Sequence, residues 1–162
     1  ITEGINIVLA VDLSGSMAAI DFKLEGEMVN RLEAVKSVVS EFIAGRDGDR
    51  IGLVVFSAVP FLASPLTLNH DWLTQNLRRL HIGMIRELGT AIGDAVSLAV
   101  ERLKDAPAKS KVIILLSDGK QTAGAVELGV VRIRKFALAE GADELQRHRV
   151  EHAPTDCACL GP

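Results

Sequence analysis

Ile5-Asn6-Ile7-Val8-Leu9-Ala10-Val11-Asp12-Leu13-Ser14-Gly15-Ser16 is the stretch that decides how this 162-residue chain is read. Its first seven residues are short, rich in β-branched side chains and almost continuously apolar. Such a run reads as a strand covered on both faces, the kind found in parallel sheets. It ends abruptly in a polar turn built on Asp12 and Gly15. Two more runs of the same type lie downstream. Ile51-Gly52-Leu53-Val54-Val55-Phe56 is one, and Lys111-Val112-Ile113-Ile114-Leu115-Leu116, which runs into Ser117-Asp118-Gly119, is the other. Pro60 to Leu66 reads as a weaker strand, and its two prolines assign it to a sheet edge, because proline donates no ladder hydrogen bond.

Helical periodicity fills the intervals. After a loop of mixed polarity that lasts to about Asn30, Leu32, Val35, Val38, Val39, Phe42 and Ile43 recur at helical spacing, and Gly45 provides a stop. A short helix is expected over Asp71 to Leu80 with Asn69 as its cap, Trp72 and Leu73 packing it on the sheet. Thr90 is expected to open a third helix. Ala91, Ala95, Leu98, Ala99 and Leu103 form its apolar stripe, and Pro107 ends it. Strands alternating with helices predict an α/β fold, a doubly wound and mostly parallel sheet with helices on both faces.

The C-terminal part reads differently. Val126, Val130, Ile133 and Ala137 predict a helix that Gly141 stops. Glu144 to Glu151 is almost wholly polar, and Ala153 to Pro162 has no periodicity. The chain thus divides into a domain over 1–127 and a divergent tail over 128–162. No segment after Leu116 reads as a buried strand. The sheet is therefore expected to lack its last strands, leaving the outer edge of Val112 to Leu116 uncovered and prone to self-association.

Composition narrows the function. The net charge is −3, from 18 basic and 21 acidic side chains, and this speaks against a nucleic-acid binder, which carries a basic excess. Two cysteines cannot build a disulfide scaffold. No stretch reaches the about 18 consecutive apolar residues of a membrane-spanning helix. The chain starts at Ile1 without a secretory pattern, and is expected to be a fragment or processed product of a protein whose other parts could carry membrane segments.

Open α/β sheets bind ligands at the carboxyl ends of their strands, where strand order switches direction. Asp12, Ser14 and Ser16 follow the first buried strand, Asp118 follows the last, and Thr90 stands at the start of a helix. If these strands are parallel neighbours, two carboxylates and three hydroxyls converge on one point. Hard oxygen donors of low total charge suit Mg²⁺ or Mn²⁺, and Ca²⁺ less well. An ion held by so few charges keeps residual positive charge and attracts one more carboxylate from outside.

Asp12-Leu13-Ser14-Gly15-Ser16, together with Thr90 and Asp118, resembles the metal-ion-dependent adhesion site of von Willebrand factor type A domains. Asn30 to Lys36, Gly48 to Phe56 and Gly89 to Asp94 resemble the bacterial Bat aerotolerance branch of that family, and the resemblance covers about Ile1 to Glu127. It implies a non-enzymatic, Mg²⁺-dependent protein-binding module. By the same resemblance Ser14, Ser16 and Thr90 coordinate the ion, with Asp12 and Asp118 acting directly or through water. The partner would be a protein that supplies a carboxylate to the metal. Bat-type proteins carry this domain between membrane-spanning helices and are associated with MoxR-type ATPases. The implied setting is therefore an inner-membrane-associated assembly with other Bat proteins. The family's Tyr-Thr-Ile-Gly type of strand is absent after Glu127.

Two other readings remain. A phosphohydrolase of the haloacid dehalogenase type also begins with an apolar strand ending in Asp. Asp12 would be its nucleophile and Ser117 a phosphate contact. That chemistry needs a second Asp two residues on, where this chain has Ser14, which cannot serve as a general acid near neutral pH. An incomplete remnant that binds nothing is the third reading. His148, His152, Cys157 and Cys159 suggest zinc, but Cys-x-Cys is not the usual finger spacing. Arg132, Arg134 and Lys135 read as a solvated helix face.

Overall fold

The computed structural model describes residues 4–108, 110–119, 122–124 and 134–135. At its centre is strand β1, Asn6–Asp12, buried along its whole length. It pairs in parallel with β4, Arg50–Phe56, on one side and with β6, Lys111–Leu116, on the other. Strand β5, Pro60–Thr67, adds antiparallel to β4 at one edge. The five-stranded order is β5-β4-β1-β6-β7, with β7 the two residues Arg134–Lys135. A separate two-stranded hairpin, β2 (Phe22–Leu24) and β3 (Glu27–Val29), fills the stretch read from sequence as a loop.

The period-2 alternation of β1 divides the core. Ile7, Leu9 and Val11 face helices α1 (Arg31–Ala44) and α2 (His70–Arg79), where they pack with Leu32, Val39, Ile43, Leu73 and Leu77. Val8 and Ala10 face the other way, against Ala95, Val96, Ala99 and Leu103 of α3 (Ile92–Lys104). Each fully buried Val, Leu or Ile contributes about 1.5–3 kcal/mol relative to exposure, so this three-layer core is the main source of stability. The cap expected at Asn69 forms, and Asn30 caps α1 in the same way. The Asn30 side chain accepts from the Glu33 N–H at 2.8 Å, and that of Asn69 from the Trp72 N–H at 3.0 Å.

Four sequence expectations are corrected. Helix α3 starts at Ile92 after an Ala91 cap, so Thr90 lies just outside it and is not its cap. Trp72 is 42% exposed, and Leu73 alone of that pair enters the core. After Leu116, strand β7 pairs with β6 in parallel, Ile114 opposite Arg134 and Leu115 opposite Lys135. The edge of β6 is therefore partly covered. The helix expected through Val126 to Ala137 is replaced by strand at those two residues, so Arg134 and Lys135 do not lie on a helix face. The rest of that expectation, the 128–162 boundary and His148, His152, Cys157 and Cys159 lie outside the described residues.

Candidate metal centre at the carboxyl edge of the sheet

Three adjacent parallel strands, β4, β1 and β6, end side by side, and each is followed at once by a short polar residue or ends in one: Ser57, Asp12 and Ser117. Strand β1 is flanked by β4 on one side and β6 on the other, so the sheet grows in both directions from it. The loops leaving β1 and β6 therefore part and leave a crevice, the usual ligand position in such folds.

Asp12 has no solvent exposure. A buried carboxylate is costly unless hydrogen-bonded. Asp12 meets this requirement with both oxygens: Oδ1 accepts from the Ser14 N–H at 2.8 Å and Oδ2 from the Ser117 hydroxyl at 2.5 Å. The first bond folds the chain after β1 into an Asx turn that continues as a short 3₁₀ turn, Gly15–Ala18. That turn brings the Ser14 and Ser16 hydroxyls within 3.1 Å of each other, and Ser16 Oγ donates to Asp118 Oδ1 at 2.8 Å.

Thr90 is buried and fixed through its backbone. Its N–H donates to Thr122 Oγ1 at 3.0 Å, and its carbonyl accepts from the N–H groups of Thr122 at 2.9 Å and Ala123 at 3.2 Å. The next residue, Ala91, donates to the Ser57 carbonyl at 2.7 Å, and the Ser57 hydroxyl donates towards the carbonyls of Glu87 and Gly89. Gly119, beside Asp118, lies against Thr90: a Cβ built there would be 3.7 Å from Thr90 Oγ1. The five residues named from sequence, Asp12, Ser14, Ser16, Thr90 and Asp118, thus gather at one edge.

The O···O separations of 3.1 and 2.8 Å are hydrogen-bond lengths, and they cluster the oxygens of Ser14, Ser16 and Asp118 in one row. Among the described residues no group of three His, Cys, Asp or Glu side chains converges, so hydroxyls are an essential part of any donor set.

Sequence reasoning missed three supporting residues, Ser57, Thr122 and Arg31, and named Ser117 only as a phosphate contact in the phosphohydrolase reading. Ser57 and Ser117 carried a signal, since each immediately follows a buried strand. Arg31 carried a subtler one. It is the first residue of α1, where the helix dipole disfavours a cation, so a tertiary partner was to be expected. The structure provides two. Arg31 Nε lies 3.0 and 2.9 Å from the two Asp21 oxygens, Nη2 also reaches Asp21, and Nη1 donates to Asp118 Oδ2. The hydrogen bond from Arg31 lowers the Asp21 pKa. The bonds to Asp21 and then to Asp118 raise that of Arg31.

A family model described as von Willebrand factor type A domain matches residues 7–121. An uncharacterized protein of Borreliella burgdorferi is 34% identical over 119 residues, 74% of this chain and 33% of its own length. The chain thus spans about a third of that curated relative. Among solved structures, an uncharacterized membrane spanning protein from Vibrio fischeri shares 45% identity at a TM-score of 0.56, over 74% of this chain and 58% of that one. The conserved hypothetical protein BatB from Bacteroides thetaiotaomicron shares 28% identity at a TM-score of 0.62, over 72% and 57%.

Proposed function

This chain belongs to the von Willebrand factor type A domain family, and from that premise we propose that it is a divalent-cation-dependent, non-enzymatic protein-binding module. Domains of this family are protein-interaction modules. Ser14, Ser16, Thr90 and Asp118 would hold Mg²⁺ or Mn²⁺, with Asp12 orienting the loop that carries the serines. The ion would supply a site for a carboxylate from the partner protein. The observation that carries the reading is the convergence of Ser14 Oγ, Ser16 Oγ and Asp118 Oδ1 in one hydrogen-bonded row at the carboxyl edge of the sheet.

Two features support the non-enzymatic reading. Both oxygens of Asp12 are engaged and the residue is fully buried, which disfavours its use as a nucleophile. The position two residues on, where the phosphohydrolase chemistry needs an acid, is Ser14. The similar proteins described as membrane spanning or Bat-type support a role in a bacterial membrane-associated assembly. No described helix is long and apolar enough to cross a membrane.

The test is thermal unfolding with Mg²⁺ or Mn²⁺ against chelator. Binding to the native state adds about 2.7 kcal/mol at a hundredfold excess over Kd. Wild type should melt higher with metal, and Ser14→Ala and Thr90→Ala, checked as folded by circular dichroism, should lose the shift. Equal melting temperatures in metal and chelator for folded wild type would reject the proposal. Aryl phosphate turnover that vanishes in Asp12→Asn would reject its non-enzymatic part.

A further inference from the structure

The residue that sequence reasoning passed over, Arg31, meets the candidate metal centre directly. Asp118 is a shared carboxylate. Its Oδ1 accepts from Ser16, on the metal-facing side, and its Oδ2 accepts from Arg31 Nη1. Arg31 in turn makes two unequal contacts. It grips both oxygens of Asp21 through Nε and Nη2 and gives a single nitrogen to Asp118. The planar guanidinium has donors on separate edges, so the Asp118 contact can be lost while the Asp21 fork stays intact.

We propose that Arg31 is a cationic latch that competes with the divalent ion for Asp118, and that Asp21 sets the strength of this competition by giving the guanidinium a second, permanent partner. This rests on the metal-binding reading above. Two cations drawn to one carboxylate oppose each other, and the guanidinium stays charged at every accessible pH. With Arg31 in place the Asp118 carboxylate is partly neutralised. Metal binding is then weaker than that carboxylate alone would give. Asp21 precedes β2, so the latch also ties the β2–β3 hairpin to the rim of the site. When Asp118 turns to the metal, Arg31 remains on Asp21 and the hairpin stays anchored.

This arrangement makes two predictions of opposite sign, which a merely structural role would not. Arg31→Gln removes the competing charge and should tighten Mn²⁺ binding by about three- to tenfold, a size expected for a partly exposed ion pair beside a charge. Asp21→Asn removes the permanent partner, leaves Arg31 wholly to Asp118 and should weaken binding by a similar factor. Arg31→Lys keeps the charge but loses the fork, and should bind more weakly than Arg31→Gln. Isothermal titration of the whole chain with Mn²⁺ reads all three, with circular dichroism to verify folding. If Arg31→Gln fails to fold, the pair Asp21→Asn and Arg31→Lys still gives the sign. Wild type that binds Mn²⁺ while Arg31→Gln binds equally or less tightly overturns the latch and leaves the metal site standing. Asp21→Asn that binds as tightly as wild type overturns it too. No Mn²⁺ binding by any folded variant overturns the metal-binding reading and the latch together.

Discussion

Gly89→Ala tests whether the loop before α3 is set by sterics that no motif reveals. Gly89 has φ near +133°, a region an L-residue avoids, and a Cβ there would sit 2.8 Å from the Ala123 Cβ and 3.5 Å from that of Ala58. Backbone strain of this kind costs about 1–3 kcal/mol. Forcing a methyl into a space below carbon–carbon contact distance adds about 1–3 kcal/mol. The sum, about 2–6 kcal/mol, is a large share of the roughly 5–15 kcal/mol that holds a domain folded. At about 2–4 °C per kcal/mol, the melting temperature should fall by about 4–24 °C. Partial relief is available if residues 122–124 move away. That relief loosens the Thr122 clamp on Thr90, so metal binding should weaken as well. The control is Gly15→Ala inside the Asp12–Ser16 motif, where a Cβ would meet nothing within 4 Å and φ is not positive. It should change stability by less than about 0.5 kcal/mol. Urea and thermal unfolding in chelator measure both variants without the metal term. Gly89→Ala melting within a degree of Gly15→Ala would refute the steric argument.

Two further outcomes follow from the ion pair and the caps. Arg31 hydrogen bonds hold the Asp21 carboxyl below its ordinary 3.8 in the folded state. The folded value is thus lower than the unfolded one, so the pair's stabilising contribution is complete above about pH 4 and is lost as pH falls through the lowered value. Carboxyl carbon titration should show a depressed Asp21 midpoint that returns to the ordinary range in Arg31→Gln; an ordinary midpoint in wild type would contradict the bond. Asn30→Ala removes the acceptor for the Glu33 N–H and should lower stability by about 1 kcal/mol, read as a shifted urea midpoint at unchanged slope. An unshifted midpoint would show that water replaces the cap without loss.

Most of the architecture was legible because its signals are local. Ile7 to Val11, Ile51 to Phe56 and Val112 to Leu116 are apolar on both faces, and only a covered parallel strand suits such runs. Leu32, Val35, Val39 and Ile43 declare a helix by their spacing, and Asn69 announces the start of α2 by side-chain chemistry. The β2–β3 hairpin was not legible, since its short strands carry mixed polarity and no buried face. Nor was Thr90's position outside α3, because a threonine before an apolar stripe looks the same as a cap. Strand β7 escaped for a related reason: two residues, Arg134 and Lys135, leave no period to read, and pairing with Ile114 and Leu115 is decided by β6 and not by their own pattern.

The sequence by itself determined the alternation of strands and helices, and it named the oxygen-bearing residues Asp12, Ser14, Ser16, Thr90 and Asp118. Only the tertiary structure decided how those oxygens are held. Ser117 reaches Asp12 across 105 positions, Ser16 reaches Asp118 across 102, and Arg31 reaches the same Asp118 across 87. Periodicity and capping act over a few residues, where chain geometry alone fixes the neighbours. A hydrogen bond between loops depends on strand order and register, which place β1 beside β6 and bring their ends to one edge. Those are properties of the packed sheet, set by burial of both its faces, and no local stretch of the chain encodes them separately.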